Sequence, residues 1–232
     1  MLHSQRVLLT GASGLLGCAI TEMLASNGFR MVVTGRRDNR LKELSQQYQD
    51  NREIYSLAGD IRDDNFRQQL IDFTCEKLGG LDVLINNAGT FHFSNLMDMM
   101  PEEIDQVITT NVTALIHMTY LALPHLLSST QSSIINICSL AGKASLPGAS
   151  CYAASKWAVV GFTVALQQEL WKQGIRVCAI SPGQLEQLGI KLSEDVGTIP
   201  LSAVTDAIAF ILQHPAGSCP SEIVLRPMVG GS

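Results

Sequence analysis

The chain has 232 residues, 46% of them hydrophobic and 16% charged, with a formal net charge of −5. That length suits one α/β domain over residues 1–232, and the apolar fraction is too high for a disordered chain. The negative balance argues mildly against nucleic acid as a partner, since phosphate binding wants a basic face, and the charges are scattered with no acidic or basic tail.

The polar start Met1–Arg6 lacks the layout of a signal peptide, and no apolar run reaches the roughly 18 residues of a membrane span. A cytoplasmic chain with no membrane attachment is therefore expected. Arg6–Leu9 reads as the first strand and Leu15–Ser26 as the first helix, stopped at Gly28. Strand Met31–Thr34, helix Asn39–Gln49, strand Ile54–Leu57, helix Asp64–Lys77 and strand Val83–Ile85 follow. A long helix is predicted over Pro101–Leu127, its start marked by Pro101 with Glu102 and Glu103. Then come strand Ser133–Cys138, helix Tyr152–Lys172 with a stop at Gly174, strand Arg176–Ile180, helix Ala203–Gln213 and strand Glu222–Leu225. Only Gly183–Thr198 lacks a clear period.

Strands alternating with helices imply a doubly wound parallel sheet of about seven strands with helices on both faces. The strand-like runs are continuous rather than alternating, as expected of strands buried on both sides. Six cysteines (Cys18, Cys75, Cys138, Cys151, Cys178 and Cys219) form no C-x-x-C pair, and several lie in apolar runs. They read as buried thiols rather than disulfides or zinc ligands, so no metal is expected.

Three glycines punctuate the first strand–helix junction, Thr10-Gly11-Ala12-Ser13-Gly14-Leu15-Leu16-Gly17. Gly11 allows the tight turn, Gly14 lets backbone approach a pyrophosphate at the helix N-terminus, and Gly17 permits close helix–sheet packing. The second strand runs into Gly35-Arg36-Arg37, with no carboxylate before Asp38. An acidic side chain there would bind a ribose 2′-hydroxyl, whereas guanidinium forks suit a 2′-phosphate. NADP(H) is therefore expected, with Arg36 as its main contact and Arg37 beside it.

Tyr152 and Lys156 stand four residues apart near the start of a long helix and so share one face. An ammonium one turn from a phenol stabilises the phenolate, as an acid/base for a carbonyl–alcohol pair requires.

Thr10–Gly17, Asn86-Asn87-Ala88-Gly89, Asn111, Ser139, Tyr152 with Lys156, and Pro182-Gly183 occur in the order and spacing of the short-chain dehydrogenase/reductases. The chain resembles that family from Arg6 to about Pro227. The resemblance implies a Rossmann fold and hydride transfer between NADP(H) and a small carbonyl or alcohol. It also implies roles for single residues. Ser139 would hydrogen-bond the substrate oxygen, Tyr152 exchange the proton, and Lys156 also hold the nicotinamide ribose. Asn111 would anchor a proton-relaying water. Gly11, Ser13, Gly14, Leu15 and Gly17 would cradle the pyrophosphate. Asp60 and Ile61 would touch the adenine, and Asn87 with Ala88 and Gly89 the adenosine ribose. Pro182, Gly183 and Leu185 would line the nicotinamide. Ser221–Pro227 looks like tetrameric NADP-dependent members acting on small hydroxy acids and alcohols, so a homotetramer or homodimer is expected, with Pro101–Leu127 and Tyr152–Lys172 at one interface.

Two positions depart from the compact members of that family. Leu15 stands where they carry the second glycine, a spacing commoner in epimerases and dehydratases, and Gln187 stands where they offer a hydroxyl to the carboxamide. The segment after Gly183 is short, so a small lid over a modest or open pocket is expected. Its lining candidates are His92, Phe93, Leu146, Pro147 and Leu188, with His92 reading as an ordinary loop histidine and Trp157 as packing or interface. Two other functions stay open at this point, a dinucleotide-binding sensor without turnover and an epimerase that retains its cofactor.

Overall fold

A computed structural model of the protein describes residues 5–48, 53–144, 147–186, 197–215 and 217–228. Its strands are β1 (Arg6–Leu9), β2 (Arg30–Gly35), β3 (Ile54–Ala58), β4 (Val83–Asn86), β5 (Ser133–Ile137), β6 (Arg176–Pro182) and β7 (Glu222–Leu225). The helices are α1 (Leu15–Ser26), α2 (Asp38–Gln47), α3 (Asp64–Leu78), α4 (Pro101–Ile108), α5 (Ala114–Leu127), α6 (Ser150–Leu170) and α7 (Leu201–Gln213). The seven strands form one parallel sheet in the order β3-β2-β1-β4-β5-β6-β7. The order reverses between β1 and β4. In open α/β sheets a ligand crevice forms beyond the carboxyl ends of the strands at such a reversal.

Each strand sends successive side chains to opposite faces. Val7, Leu9, Met31, Val33 and Ile85 enter one core with Ile20, Leu24, Ile208 and Ile211 of α1 and α7. Leu8, Val32 and Leu84 enter the other with Leu70, Ile71, Met118 and Leu166 of α3, α5 and α6. Two buried faces explain why the strand sequences read as unbroken apolar runs.

Local chemistry sets the ends of the helices. The Asp63 side chain accepts from the backbone N–H of Asn65 at 2.8 Å and caps α3. Glu103 accepts from the Met100 N–H at 2.9 Å, ordering the first turn of α4 behind Pro101. Gly174, at φ 76°, stops the extension of α6 in a left-handed turn that glycine adopts without steric cost.

Three expectations need correction. The stretch Pro101–Leu127 is helical throughout but not uniformly α, because Thr109–Thr113 forms a π-helical turn between α4 and α5. That same helix is, by length and composition, apolar enough to cross a membrane. Counting uninterrupted apolar residues missed it, since isolated polar residues break the run without lowering its mean. Here Met118, Ala122 and Leu126 of this helix are spent on the core beneath the sheet. Finally, only Cys138, Cys151 and Cys178 are buried; Cys18 and Cys75 are half-buried and Cys219 is exposed. All six thiols are free.

Candidate active site

The glycine loop lies at the carboxyl end of β1, against the loop that follows β4. Gly11 has φ +70°, and a Cβ there would come within 2.7 Å of the Ala88 Cα. The Thr10 hydroxyl accepts from the N–H groups of Asn87 and Ala88, both at 3.1 Å. The Asn87 amide donates back to the carbonyls of Thr10 (3.0 Å) and Gly11 (3.2 Å). Asn87 thus locks two loops together. A Cβ on Gly17 would sit 2.2 Å from the Gly11 oxygen, so α1 packs on the loop at a distance no other residue allows.

Gly14 is the N-cap of α1 and offers no side chain to satisfy the first turn. The N–H groups of that turn stay available to an anion, which the helix dipole also favours. This cradle of small residues at a helix start fits a pyrophosphate. Leu15 begins α1 with its side chain 44% exposed, so the departure from the usual glycine leaves the helix start intact.

At the ends of β2 and β3 the charges divide. Arg37 donates to the carbonyl of the buried Ser13 and braces the glycine loop from below. Gly35 makes this approach possible: a Cβ there would fall 2.5 Å from the Ser13 hydroxyl. Sequence reading did not single out Gly35, because its partner is 22 positions away and its φ is ordinary. Arg36 is exposed. Asp60 is gripped by Arg62, whose Nη2 lies 2.5 Å from Oδ2 and whose backbone N–H donates at 3.0 Å. The Arg62 hydrogen bonds, with the Arg36 charge nearby, hold the Asp60 carboxyl below its usual range. Ile61 is buried next to it. Arg62 was not foreseen, and it adds a third guanidinium to this corner.

The second half of the site hangs on the π-helical turn. Asn111 lies in that turn and is buried. Its amide accepts from the Thr90 N–H and donates to the Thr90 carbonyl, both at 2.8 Å, and donates to the Ser155 hydroxyl at 3.0 Å. Ser155 in turn donates to the Tyr152 carbonyl at 2.7 Å. A π turn inserts one residue into the helix and re-aims a side chain, and such turns concentrate at functional sites. Lys156 is buried, donates to the Ile137 carbonyl at 3.0 Å and lies 5.8 Å from the centre of the Tyr152 ring. A Cβ on Gly89 would stand 3.4 Å from the Asn111 oxygen and 3.7 Å from the Lys156 ammonium. The segment Asn87–Gly89 therefore touches the glycine loop on one side and the Asn111–Lys156 pair on the other.

Ser139 follows β5 in extended conformation, and its hydroxyl accepts from the Ala141 N–H at 3.1 Å. Burial pushes the neighbouring Cys138 thiol up to about 11, which keeps it protonated and unreactive. Pro182 ends β6. The Gly183 N–H donates to Leu225 at 2.8 Å, and a Cβ on Gly183 would meet Pro227 at 2.9 Å. Leu185 pairs with Ile199 in a parallel bridge. His92 lies 3.3 Å from Glu103, Phe93 is half-exposed and Pro147 is exposed. Leu146, Gln187 and Leu188 lie outside the described residues, as does most of the segment in which the small lid was expected.

A buried polar ladder supports this half from below. Asn86 donates to the Asn136 oxygen (2.9 Å) and to the Thr119 hydroxyl (3.1 Å), and Asn136 donates to the Thr163 hydroxyl (2.9 Å). It ties β4 and β5 to α5 and α6 directly beneath the loops of the site. Asn136 sits within an apolar run, so nothing in its local sequence announced it.

A doubly wound parallel sheet with an anion cradle after β1 and a tyrosine–lysine pair on the helix after β5 defines a dinucleotide-dependent oxidoreductase. The chain belongs to the short chain dehydrogenase family, matched over residues 5–191. It is 31% identical to an uncharacterized oxidoreductase of Staphylococcus saprophyticus, over 98% of this chain and 99% of that one. Among solved structures it is similar to serine dehydrogenase from Escherichia coli (27% identity, TM-score 0.87, covering 98% of this chain and 100% of that one). It is also similar to a metagenomic short-chain oxidoreductase in complex with NADP (29% identity, TM-score 0.86, covering 99% of each). The family uses a nicotinamide cofactor.

Proposed function

We propose that the protein transfers a hydride between NADP(H) and a small carbonyl or alcohol, with Tyr152 as the group that gives and takes the proton. The observation that carries this is the placement of Tyr152 and Lys156 on one face of α6, with the turn that bears them tied to Asn111 through Ser155 and the Tyr152 main-chain carbonyl, and with Asn87–Gly89 linking this half to the glycine loop. When bound, the nicotinamide supplies or accepts the hydride at the substrate carbon. In the reducing direction Tyr152 donates its phenolic proton to the carbonyl oxygen as that oxygen gains negative charge; in the oxidising direction it takes the proton back. Lys156, held in place by the Ile137 carbonyl, puts its ammonium 5.8 Å from the centre of the Tyr152 ring, near where negative charge develops in the transition state. Ser139 hydrogen-bonds the substrate oxygen. Asn111 anchors the water through which Lys156 exchanges its proton.

The first-turn N–H groups at Leu15 and Gly17, with the backbone of Gly11, Ser13 and Gly14 around them, would hold the pyrophosphate. Asp60 and Ile61 would meet the adenine, Asn87, Ala88 and Gly89 the ribose, and Pro182, Gly183 and Leu185 the nicotinamide. Arg36 would pair with the 2′-phosphate. The relative solved with NADP supports that choice, and the engagement of Arg37 with Ser13 leaves Arg36 as the better placed of the two. We further propose that the chain works in the cytoplasm as a single domain. It would assemble as a homotetramer or homodimer through α5 and α6, where Tyr120, Leu127, Trp157 and Val164 expose apolar surface. Light scattering that gives a 25.1 kDa monomer would refute the assembly.

The test of the cofactor reading is a fluorescence titration of NADPH and NADH against wild type and Arg36→Ala. NADPH is expected to bind at least tenfold tighter, about 1.4 kcal/mol, and the substitution to abolish that difference. Equal binding of NADH by wild type would overturn the assignment.

A further inference from the structure

The loop after β4 carries two phenylalanines that belong to neither the glycine loop nor the Asn111–Ser155 hydrogen bonds. The Phe91 ring lies 6.4 Å from the Tyr152 ring at an interplanar angle of 70°, and the Phe93 ring lies 6.4 Å from it at 40°. The two phenylalanines are 6.0 Å apart at 71°. Three mutually edge-packed or tilted rings at these spacings match the geometry that aromatic quadrupoles prefer, about 4.5–7 Å between centroids.

The backbone that carries the rings is pinned at both ends. Thr90, just before Phe91, is held at both its N–H and its carbonyl by the Asn111 amide. Ser94, just after Phe93, donates its N–H to the Gly148 carbonyl at 2.8 Å. Between these pins, His92 turns away to Glu103 while the residues on either side of it turn to Tyr152. The tripeptide thus presents both rings on one side, and Asn111 fixes its beginning as well as the tyrosine helix.

Yet Phe91 is 54% exposed and Phe93 45% exposed. Two pinned apolar rings left in water beside the proton donor gain free energy by covering themselves with apolar substrate surface. A carboxylate placed there would have to shed its water against ring faces that are electron-rich.

We propose that Phe91 and Phe93 form an aromatic wall against Tyr152 that selects carbonyl and alcohol substrates bearing an aryl or other bulky apolar substituent, and disfavours hydroxy acids. The inference rests on the oxidoreductase reading above for its chemistry, and on the three rings for its specificity.

The test uses the full chain with 1-phenylethanone and acetone as NADPH-dependent substrates. Alongside it, saturation-transfer NMR follows 1-phenylethanol and L-serine on the NADP⁺-loaded protein. Wild type is expected to prefer 1-phenylethanone by about a hundredfold in kcat/KM. Phe91→Ala and Phe93→Ala should each cut that preference about tenfold, through KM rather than kcat, while NADPH affinity stays within twofold. Both rings are half-exposed, so neither truncation opens a core cavity, and Phe93→Leu should retain part of the preference. If both substrates gain equally on truncation, the rings merely cover the tyrosine and the proposal is wrong. It is equally overturned if L-serine saturates more strongly than 1-phenylethanol. If NADPH binds but no carbonyl is reduced, the oxidoreductase reading fails, and the NMR comparison still decides the wall by itself.

Discussion

At the amino ends of the strands, the Asp82 carboxylate, just before β4, accepts from Arg6 three times (backbone N–H 2.8 Å, Nε 2.9 Å, Nη2 2.6 Å) and from the Ser129 hydroxyl at 2.6 Å. Arg6 also donates to the Gly79 carbonyl at 2.7 Å, and Arg176 at the start of β6 donates to Ser133 and to the His214 carbonyl. At the carboxyl ends, Arg36 is exposed, Gly14 caps a helix without a side chain, and Phe91 and Phe93 stand half in water. One end of the sheet ties its charged groups mainly to one another, although the buried Gln5 Oε1 and Arg176 Nη2 find no hydrogen-bond partner among the described residues; the other leaves donors, charges and rings that a second molecule can meet. In a parallel sheet every strand points the same way, so all these unmet groups collect at a single edge. Stability and chemistry are thereby assigned to opposite ends of the same strands.

The comparison is broken most severely if its two ends cannot be mutated independently. Tyr152→Phe keeps the ring contacts and removes only the hydroxyl. It is expected to lower kcat about a thousandfold while NADPH affinity and melting temperature stay unchanged. Turnover within tenfold of wild type would take the proton step away from Tyr152.

Asp82→Ala probes the opposite end. Losing hydrogen bonds to a charged group at a buried site should cost about 2–3 kcal/mol in urea unfolding, with kcat preserved in the folded fraction. The pH dependence has a defined sign. Burial alone would push the Asp82 carboxyl up, but its bonds from Arg6 and Ser129 outweigh this and hold it below the usual range. A depressed folded value means the contribution is fully present above the unfolded value of about 3.9. It is lost as pH falls below that point and through the folded value. An acid-unfolding curve of Asp82→Ala parallel to wild type across this window would show that the clamp contributes nothing.

The smallest effect sharpens the contrast within the carboxyl edge. Gly17→Ala must move the Gly11 carbonyl, 2.2 Å from the added carbon. Its expected result is roughly a tenfold loss of NADPH affinity with about 1–3 kcal/mol of destabilisation from overpacking. Here binding and stability fall together, because the cradle is also where α1 packs on the sheet.

The sequence by itself determined the order of strands and helices, the parallel sheet, the glycine cradle and the tyrosine–lysine pair. These are local facts: buried strands need continuous apolar runs, a backbone cradle needs glycines at short fixed spacings, and a shared helix face needs four residues. Tertiary structure decided what depends on partners distant in the chain. Gly35 matters because Ser13 lies over it, Asn136 because Asn86 and Thr163 flank it, and Asn111 because a π turn aims it at Thr90 and Ser155. Phe91 reads as one more loop residue until Tyr152, 61 positions later, is folded against its ring. A single chain encodes such pairings only through the packing of the whole sheet, since contacts between distant residues leave no spacing to count.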